Sequence, residues 1–452
     1  MKLNPPKNEN YAATVVELKT FVDLPNCDNV KAALIFGNSV IVDKKSPIGE
    51  VGLFFPVETA LSPEFLSNNN LYRKPEFGNV DANKKGFFEQ HGRVKAVKFR
   101  GHKSEGFYVP LSSLDYLATD TVDKHCTAGC TLFDLEVGMV FDAIGDHEIC
   151  KKYIARGNPA GKNSPAQKMA KFRDQITENQ FRFHFDTTNL RRNIDKINPE
   201  DWISITDKWH GTSVVISNVL IKRQLPWYEK LLKRIGVSIQ ESKYGVIYSS
   251  RKVIKGIDGK NYQGNGYYED DIYGIVAKEV QDLIPKGFTL YGEIAGYTPS
   301  GQPIQKGYHY ECQVGSHRFL VYRITSTNAD GQTLELSWPQ RIEFCRKYGL
   351  EHVQTLYYGK AESIYLLSGE IDWHERLLEV LEKTYIREKM CPYNNNEVPA
   401  EGIVVQVDGL NEARAYKLKN FRFLERESKE LDKGEVDLET AQSEEVVLES
   451  SN

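Results

Sequence analysis

The sequence has little of what marks a membrane-spanning or exported protein. No apolar run approaches the ~20 residues that cross a bilayer, and the opening residues, MKLNPPKNENYAATVVEL, lack the apolar core of a signal peptide. Cysteine is scarce, because only seven residues are scattered along 452 positions. An odd number of scattered thiols indicates a reducing compartment. We therefore expect an intracellular, cytoplasmic protein with no membrane partner.

A strong charge of either sign is also missing. The net charge is −4, but residues 425–452 contain ten acidic and three basic residues, which leaves a net +3 for the rest of the chain. This acidic segment has no aromatic residue, so we predict that residues 425–452 form a disordered tail. A mildly positive body neither requires nor excludes a nucleic-acid partner.

The pattern of the remaining chain indicates more than one domain, since 452 residues exceed a single core. Residues 1–145 contain short β-branched and aromatic runs, such as ALIFGNSVIVDK and VGLFFPV, which predict a small closed barrel with an inserted loop near 62–90. Residues 146–185 read as a basic linker broken by Gly and Pro. Residues 186–424 form a second β-rich region, whose apolar spacing predicts helices at 226–236, 268–284, 338–350 and 372–389.

One lysine lies in an unusual setting, in ITDKWHGTSVVISN at 205–218. Two strand-like runs flank Lys208 and Gly211, which predicts a tight turn that fixes the direction of the lysine side chain. A lysine becomes a nucleophile when neighbouring cations or burial lower its pKa. Taken alone, the pattern favours an exposed surface hairpin, because Lys-x-x-Gly is common by chance.

Five downstream segments favour the interpretation of Lys208 as a nucleophile. IYSSRKVI contains Arg251, FTLYGEIAG contains Glu293, FLVYRIT contains Tyr322, AEGIVVQVDG contains Glu401, and ARAYKLKNF contains Lys417 and Lys419. The last two lysines are two apart and so share a strand face. A nucleophile, two carboxylates for a hard metal ion, an aromatic platform and two cations for phosphates suit nucleotidyl transfer. We expect Lys417 and Lys419 to help keep Lys208 neutral.

The order of these segments resembles the covalent nucleotidyltransferases, namely ATP-dependent RNA and DNA ligases and capping enzymes. The stretch GEIAGYTPSGQPIQKGYHYEC is similar to RNA ligases, and the N-terminal half, with GRVKAVKFRGHKSEGFYVPL, resembles the OB-type domain of the family-five RNA ligases. The resemblance implies a multidomain fold, in which an N-terminal OB-type β-barrel precedes an α+β nucleotidyltransferase domain with antiparallel sheets and flanking helices. Capping enzymes and cellular DNA ligases carry their OB domain after the last lysine motif, unlike this chain.

The resemblance also implies a reaction and its residues. An ATP-dependent RNA ligase would join a 3′-OH to a 5′-phosphate through lysyl-AMP and an adenylylated 5′ end, with ATP and Mg²⁺ or Mn²⁺ as cofactors. Lys208, Lys417 and Lys419 would be catalytic, and Glu401 and Glu293 would serve the metal. The implied ATP-binding residues are Thr206, Gly211, Arg251, Glu293, Tyr322, Lys417 and Lys419. Many relatives have Asp where this chain has His210, which leaves the metal shell open.

The implied partner is RNA, as a nicked duplex, a broken structured RNA or an RNA/DNA hybrid, bound by a monomer. A DNA-joining ligase of the same chemistry and a non-catalytic RNA-binding protein on an inactive transferase fold remain alternatives. The intact lysines and glutamates argue against the inactive version. His184 and Asp186, in FHFDT, fit either a nucleotide contact or a structural role.

Two N-terminal segments carry separate predictions. In RVKAVKFR, a β-bulge after Ala96 would separate two faces of the strand. The apolar face, which we predict to be core, would consist of Val94, Ala96, Val97 and Phe99. The basic face, which we predict to bind nucleic acid, would consist of Arg93, Lys95, Lys98 and Arg100. The ATP pocket would then lie wholly downstream of residue 145. In HCTAGC and HEIC, the side chains of Cys126, Cys130, His147 and Cys150 are of types that bind zinc, although buried free thiols explain the cysteines as well.

Overall fold

The structure is a computed structural model that describes residues 3, 5–118, 135–154, 174–261, 268–364, 372–409 and 414–433. Two units follow one another along the chain. The N-terminal unit comprises the described residues up to 154, and the C-terminal unit comprises those from 174 onward. No helix among the described residues is both long and apolar enough to cross a membrane.

The N-terminal unit is built from short strands and one short helix. Its strands are β1 Ala13–Glu17, β2 Phe21–Val22, β3 Val30–Ile35, β4 Asn38–Asp43, β5 Val51–Phe55, β6 Thr59–Leu61, β7 Ala96–Phe99, β8 His102–Glu105, β9 Phe107–Pro110, β10 Val140–Phe141, β11 Ala143–Ile144, β12 His147–Glu148 and β13 Cys150–Lys152. Helix α1, Pro63–Asn68, lies inside the predicted loop at 62–90, and Ser62 caps it by accepting the Phe65 N–H.

The N-terminal strands form five separate sheets, with orders β10-β1-β5-β9, β2-β3-β4, β7-β8, β13-β6 and β11-β12. No closed barrel is found among the described residues, so the OB-type barrel is not confirmed. Residues 150–152 pair with 59–61. The N-terminal unit therefore extends beyond the predicted boundary at 145, and the first residues of the predicted linker belong to its sheets.

The C-terminal unit contains two larger sheets with helices against them, which is an α+β arrangement. Its strands are β14 Thr188–Asn189, β15 Trp202–Lys208, β16 Thr212–Lys222, β17 Ser242–Ser249, β18 Ile254–Ile257, β19 Lys260–Asn261, β20 Phe288–Gly296, β21 His317–Thr327, β22 Thr333–Glu335, β23 Thr355–Lys360, β24 Gly402–Val407 and β25 Arg414–Lys419. Its helices are α2 Trp227–Arg234, α3 Ile272–Val280, α4 Trp338–Tyr348, α5 Trp373–Leu381 and α6 Phe421–Asp432. The four predicted helices are present as α2 to α5.

One sheet has the order β19-β18-β17-β16-β20-β21-β22 and is antiparallel throughout. Its core includes Val214, Leu290 and Ile324 and is completed by Ile272 and Val276 of α3. The other sheet has the order β14-β25-β24-β15-β23, in which only β14 and β25 run parallel. It packs against α5 through a separate apolar cluster.

Helix α6 corrects the prediction of a disordered tail starting at 425. The helix runs to Asp432, so residues 425–432 are ordered and the prediction is wrong for them. Asn420 caps the helix by accepting the Arg422 N–H, and Phe423 is buried in the C-terminal unit. Residues 434–452 lie outside the described part of the chain.

Candidate active site

Three neighbouring strands bring the predicted lysines and a glutamate to one edge of the smaller sheet. Lys208 is the last residue of β15 and is the register partner of Gly402, which begins β24. Gly402 in turn is the partner of Lys419 at the end of β25. Glu401 immediately precedes β24, so this register places its carboxylate between the two lysines.

The side chains confirm this placement. Lys208 Nζ lies 2.7 Å from Glu401 Oε1, and Lys419 Nζ lies 3.9 Å from the same oxygen. Burial alone would lower the pKa of Lys208, but the carboxylates of Glu401 and Glu293 outweigh it and raise the pKa above its usual value. The expectation that cations hold Lys208 neutral is therefore wrong for this state, because the nearby acids dominate.

Lys417 behaves in the opposite way. Burial, together with the charges of Lys419, Arg251 and Lys208, lowers its pKa to about 7. Lys417 and Lys419 do share one face of β25, as predicted, with Leu418 between them buried on the other side. The site therefore contains one partly buried lysine that titrates near neutral pH beside two that stay charged.

The break after Lys208 is a crossing between sheets rather than a hairpin turn, because β15 and β16 lie in different sheets. Gly211 makes the crossing possible. A Cβ at this position would lie 2.2 Å from the Ile294 carbonyl oxygen and 2.8 Å from Glu293 Cγ. Glycine is thus required by the close approach of β20.

Glu293 lies within β20 and holds the start of β16. Its carboxylate accepts the Gly211 N–H at 3.0 Å and the Ser213 hydroxyl at 3.3 Å. The side chain is buried and lines the same cavity as Lys208. This geometry fits a residue that orders the lysine-bearing segment, and both of its oxygens already accept hydrogen bonds.

Arg251, Asp186, His184 and Tyr322 form a second group across the cavity. Arg251 Nε donates to Asp186 Oδ1 at 3.0 Å, and the Tyr322 hydroxyl lies 3.1 Å from His184 Nδ1. Burial and the charge of Arg251 lower the pKa of His184 to about 3, so its ring is neutral. The segment at 184–186 reaches this place because β14 follows it and pairs with β25.

These residues surround one cavity of about 610 Å³, which is within the usual size of small-molecule sites. The predicted residues that line it are Thr206, Lys208, Arg251, Glu293, Tyr322, Glu401, Lys417 and Lys419. Gly211 lies behind the cavity wall, beside β20. The pattern of motifs thus identified residues that share one cavity, although they are spread over more than 200 positions.

The N-terminal unit supplies part of the cavity wall, including Tyr11, Glu58 and Lys152. The expectation that the pocket lies wholly downstream of residue 145 is therefore wrong. No pattern around these three residues distinguishes them in the sequence, since Tyr11 and Glu58 lie just before ordinary short strands and Lys152 ends one. Only the packing of the two units brings them to the site.

His210 is the position at which the resemblance implies an aspartate in many relatives. Its ring packs edge-on against Tyr308 and Phe423, at centroid distances of 5.0 Å, and its backbone N–H donates to the Tyr310 hydroxyl at 2.7 Å. His210 therefore belongs to an aromatic cluster at the cavity wall, which explains how the position accommodates a ring instead of a carboxylate.

A cation fits the site best at Glu401. Its Oε2 is buried and has no hydrogen-bond partner. Burial alone would raise the pKa of this carboxyl, but the charges of Lys208 and Lys419 outweigh it and keep the pKa below its usual value. An ionised, unpartnered oxygen suits a hard cation. Within the described ranges, no group of three or more His, Cys, Asp or Glu side chains is arranged to hold a metal ion.

Two of the four predicted zinc ligands, Cys126 and Cys130, lie outside the described residues. The other two members have protein partners. His147 Nδ1 lies 2.9 Å from Glu64 Oε1, and the buried Cys150 thiol donates to the Tyr11 carbonyl. Burial raises the pKa of Cys150 to about 12, which disfavours the thiolate that zinc needs.

The predicted basic face at 93–100 is only partly exposed. Arg93 is buried and binds Asp432 and the Ser428 carbonyl of α6, while Lys95 Nζ lies 2.8 Å from Asp432. Lys98 faces Glu425, and Arg100 donates to the Asn26 carbonyl. Val97 and Phe99, predicted to be core, are each more than two-fifths exposed. Helix α6 covers Arg93 and Lys95, which the strand pattern could not reveal, whereas Lys98 and Arg100 are exposed.

Comparison with known proteins agrees with this geometry. Residues 201–419 match the family model described as RNA ligase, whereas no curated protein matches the chain. Among solved structures, a mutant Naegleria gruberi RNA ligase with ATP and Mn has 15% identity and a TM-score of 0.55, over 92% of this chain and 98% of that one.

The Naegleria gruberi RNA ligase with PPi has 14% identity and a TM-score of 0.52, over 93% of this chain and 99% of that one. These likenesses show a shared fold along both units. The family match covers the segment that carries Lys208, Glu293, Glu401, Lys417 and Lys419. Residues 201–419 are therefore similar to the RNA ligase family.

Proposed function

We propose that the protein is an ATP-dependent RNA ligase that joins a 3′-OH end to a 5′-phosphate end. The observation that carries the proposal is the convergence of Lys208, Glu401, Lys417 and Lys419 on one cavity, inside the segment that matches the RNA ligase family. The Naegleria gruberi structures with ATP, AMP and Mn support ATP and a divalent metal as cofactors.

Each residue has a task in the first step. Lys208 Nζ attacks the α-phosphorus of ATP, a P–N bond forms, and pyrophosphate leaves. Lys417 and Lys419 hold the α-phosphate and offset the charge that develops there. Tyr322 stacks on the adenine, Arg251 binds the ribose, and Thr206 lines the same wall. Glu293 orients the segment from Gly211 to Ser213 and faces the ribose.

The Lys208–Glu401 ion pair sets a condition for this step. Lys208 must lose a proton, and Glu401 raises its pKa. Glu401 would hold the divalent cation, with Glu293 nearby, and the cation would supply positive charge that cancels the effect of the carboxylate. Lys208 would then be neutral when it faces the nucleotide.

The later steps transfer AMP to an RNA 5′-phosphate and then replace AMP by the attacking 3′-hydroxyl. We propose RNA with a nick or break as the partner, with a DNA-joining enzyme of the same chemistry as the second candidate. The family match favours RNA. The buried and paired state of Arg93 and Lys95 means that they act on RNA only if α6 moves, so other cationic residues on the cavity rim, such as Lys252, are better candidates.

The test uses labelled ATP with wild type and Lys208→Ala. Wild type should form a covalent protein–AMP adduct and seal nicked RNA, whereas Lys208→Ala should do neither but still seal RNA that is already adenylylated at its 5′ end. Lys208→Arg should also fail, since a guanidinium stays protonated. Labelling of Lys208→Ala would assign the nucleophile to another residue, and equal sealing of nicked DNA would favour the second candidate.

A further inference from the structure

Lys419 is surrounded by carboxylates from three elements and both units. Its Nζ lies 3.4 Å from Glu58 Oε1, 3.4 Å from Glu427 Oε2 and 3.9 Å from Glu401 Oε1. Glu58 lies between β5 and β6 of the N-terminal unit, and Glu427 lies in α6. Two of the three partners are therefore outside the segment that matches the RNA ligase family.

Glu58 is held in place at a conformational cost. Its φ is +69°, in the left-handed region that non-glycine residues rarely adopt, and such strain is retained where surrounding contacts enforce it. Its N–H donates to the Val94 carbonyl, and its own carbonyl accepts the Tyr153 N–H. The Tyr11 hydroxyl donates to Glu58 Oε2 at 3.2 Å, which leaves Oε1 toward Lys419.

Glu427 is fixed by a helix that binds both units. Four residues before it, Phe423 packs in the aromatic cluster beside His210. The next residue, Ser428, accepts the Ala96 N–H of the N-terminal unit through its hydroxyl. Glu427 is therefore directed at Lys419 by anchors on either side, and its side chain is 13% exposed.

We propose that Glu58 and Glu427 are positioning residues that direct the Lys419 ammonium into the cavity, so that the N-terminal unit completes the site for nucleotide transfer. This inference rests on the proposed function. A lysine side chain has four rotatable bonds and a single point charge, so its direction depends on its partners. Glu58 and Glu427, each 3.4 Å from the ammonium, hold that direction, while Glu401 is shared between Lys419 and Lys208.

Double-mutant cycles on the full-length protein test this coupling. The rate of protein–AMP formation is measured in single turnovers over a range of ATP concentrations. Glu58→Gln keeps the shape and the Tyr11 contact but removes the charge, and we expect its maximal rate to fall about 10-fold, as for a misplaced group. Its half-saturating ATP concentration should change by less than about 3-fold, because substrate binding is shared with other residues.

The positioning role predicts that the effect disappears when Lys419 is absent. Lys419→Met should be slow, and adding Glu58→Gln to it should change the rate by less than about 2-fold. Glu427→Gln should act in the same way as Glu58→Gln. Glu17→Gln is the matched control, since Glu17 also lies in the N-terminal unit but pairs with the exposed Lys19, and it should keep the wild-type rate.

The outcomes separate this inference from the proposed function. Absence of labelling in the wild type would refute the function itself. A labelled wild type with an unchanged Glu58→Gln rate, or equal losses in the presence and absence of Lys419, would overturn the positioning role. A faster Glu58→Gln would also overturn it, because the carboxylates would then compete with the nucleotide phosphates for Lys419. Matching thermal unfolding midpoints would exclude a folding defect.

Discussion

The titration of Lys417 predicts how nucleotide affinity depends on pH. In the free protein its pKa is about 7, whereas a bound α-phosphate should raise the pKa toward the ordinary value of roughly 10.4. Between these two values, binding must take up a proton. At pH 8 roughly nine-tenths of the free protein has a neutral Lys417, so about 0.9 proton should enter per nucleotide bound.

The sign of the affinity change follows from this uptake. Since the free form holds the proton less tightly, affinity is highest below pH 7 and should fall about tenfold from pH 8 to pH 9. Phosphate groups titrate near pH ~6 and contribute little in this window. Lys208 and Lys419 have raised pKa values, so they stay charged in both states.

Calorimetry can count the proton directly. Binding of α,β-methylene-ATP, which cannot release pyrophosphate, is measured in EDTA at pH 8 in buffers with different ionisation enthalpies. The slope of observed enthalpy against buffer enthalpy should be near 0.9 for wild type and for the exposed-site control Lys19→Met, and near zero for Lys417→Met. A slope near zero in the wild type, or the same slope in Lys417→Met, would refute the assignment of the proton to Lys417.

Three further outcomes follow from the structure. Ending the chain after Glu425 should destabilise the protein by about 3–5 kcal/mol, because buried Arg93 loses its contacts with Ser428 and Asp432. Ending the chain after Lys433 should leave the stability unchanged, and comparing the unfolding midpoints of the two truncated proteins in denaturant tests this. Gly211→Ala should lower stability by about 1–3 kcal/mol and slow protein–AMP formation, because its Cβ would overlap the Ile294 carbonyl; normal stability would show that β20 yields. Excess EDTA should stop labelling of the wild type, and Glu401→Gln should slow it by about 10²–10³-fold even with metal present; full labelling in EDTA would contradict metal assistance.

The sequence could predict which residues share the cavity because strand motifs carry their own geometry. Lys417 and Lys419 have the two-residue period of a strand face, and Glu401 begins the strand beside them. Once β24 pairs with β15 and β25, the register leaves little freedom for Lys208. Helices α2 to α5 were equally predictable, since each shows apolar residues at helical spacing.

The failures share a different origin, namely contacts between segments far apart in the chain. The face of Arg93 and Lys95 reads as a solvated basic strand until α6 lies over it, and α6 itself reads as tail because its anchors, Phe423 and Ser428, are outnumbered by charged residues. The predicted direction of the Lys208 pKa shift was wrong for the same reason. Its nearest carboxylate, Glu401, is 193 positions away, and the balance between acids and cations depends on distances that no motif specifies.

The candidate active site is divided between the two units. In the proposed mechanism the motif residues supply the nucleophile, the metal carboxylate and the phosphate cations, all from the C-terminal unit. The charge balance of Lys419, however, includes Glu58 from the N-terminal unit and Glu427 from α6, and these acids raise its pKa against the effect of burial. A separated C-terminal unit would keep every motif and Glu427 but would lose Glu58, one of the three carboxylates around Lys419. The relative position of the two units is therefore itself part of the site that holds Lys419 charged and directed.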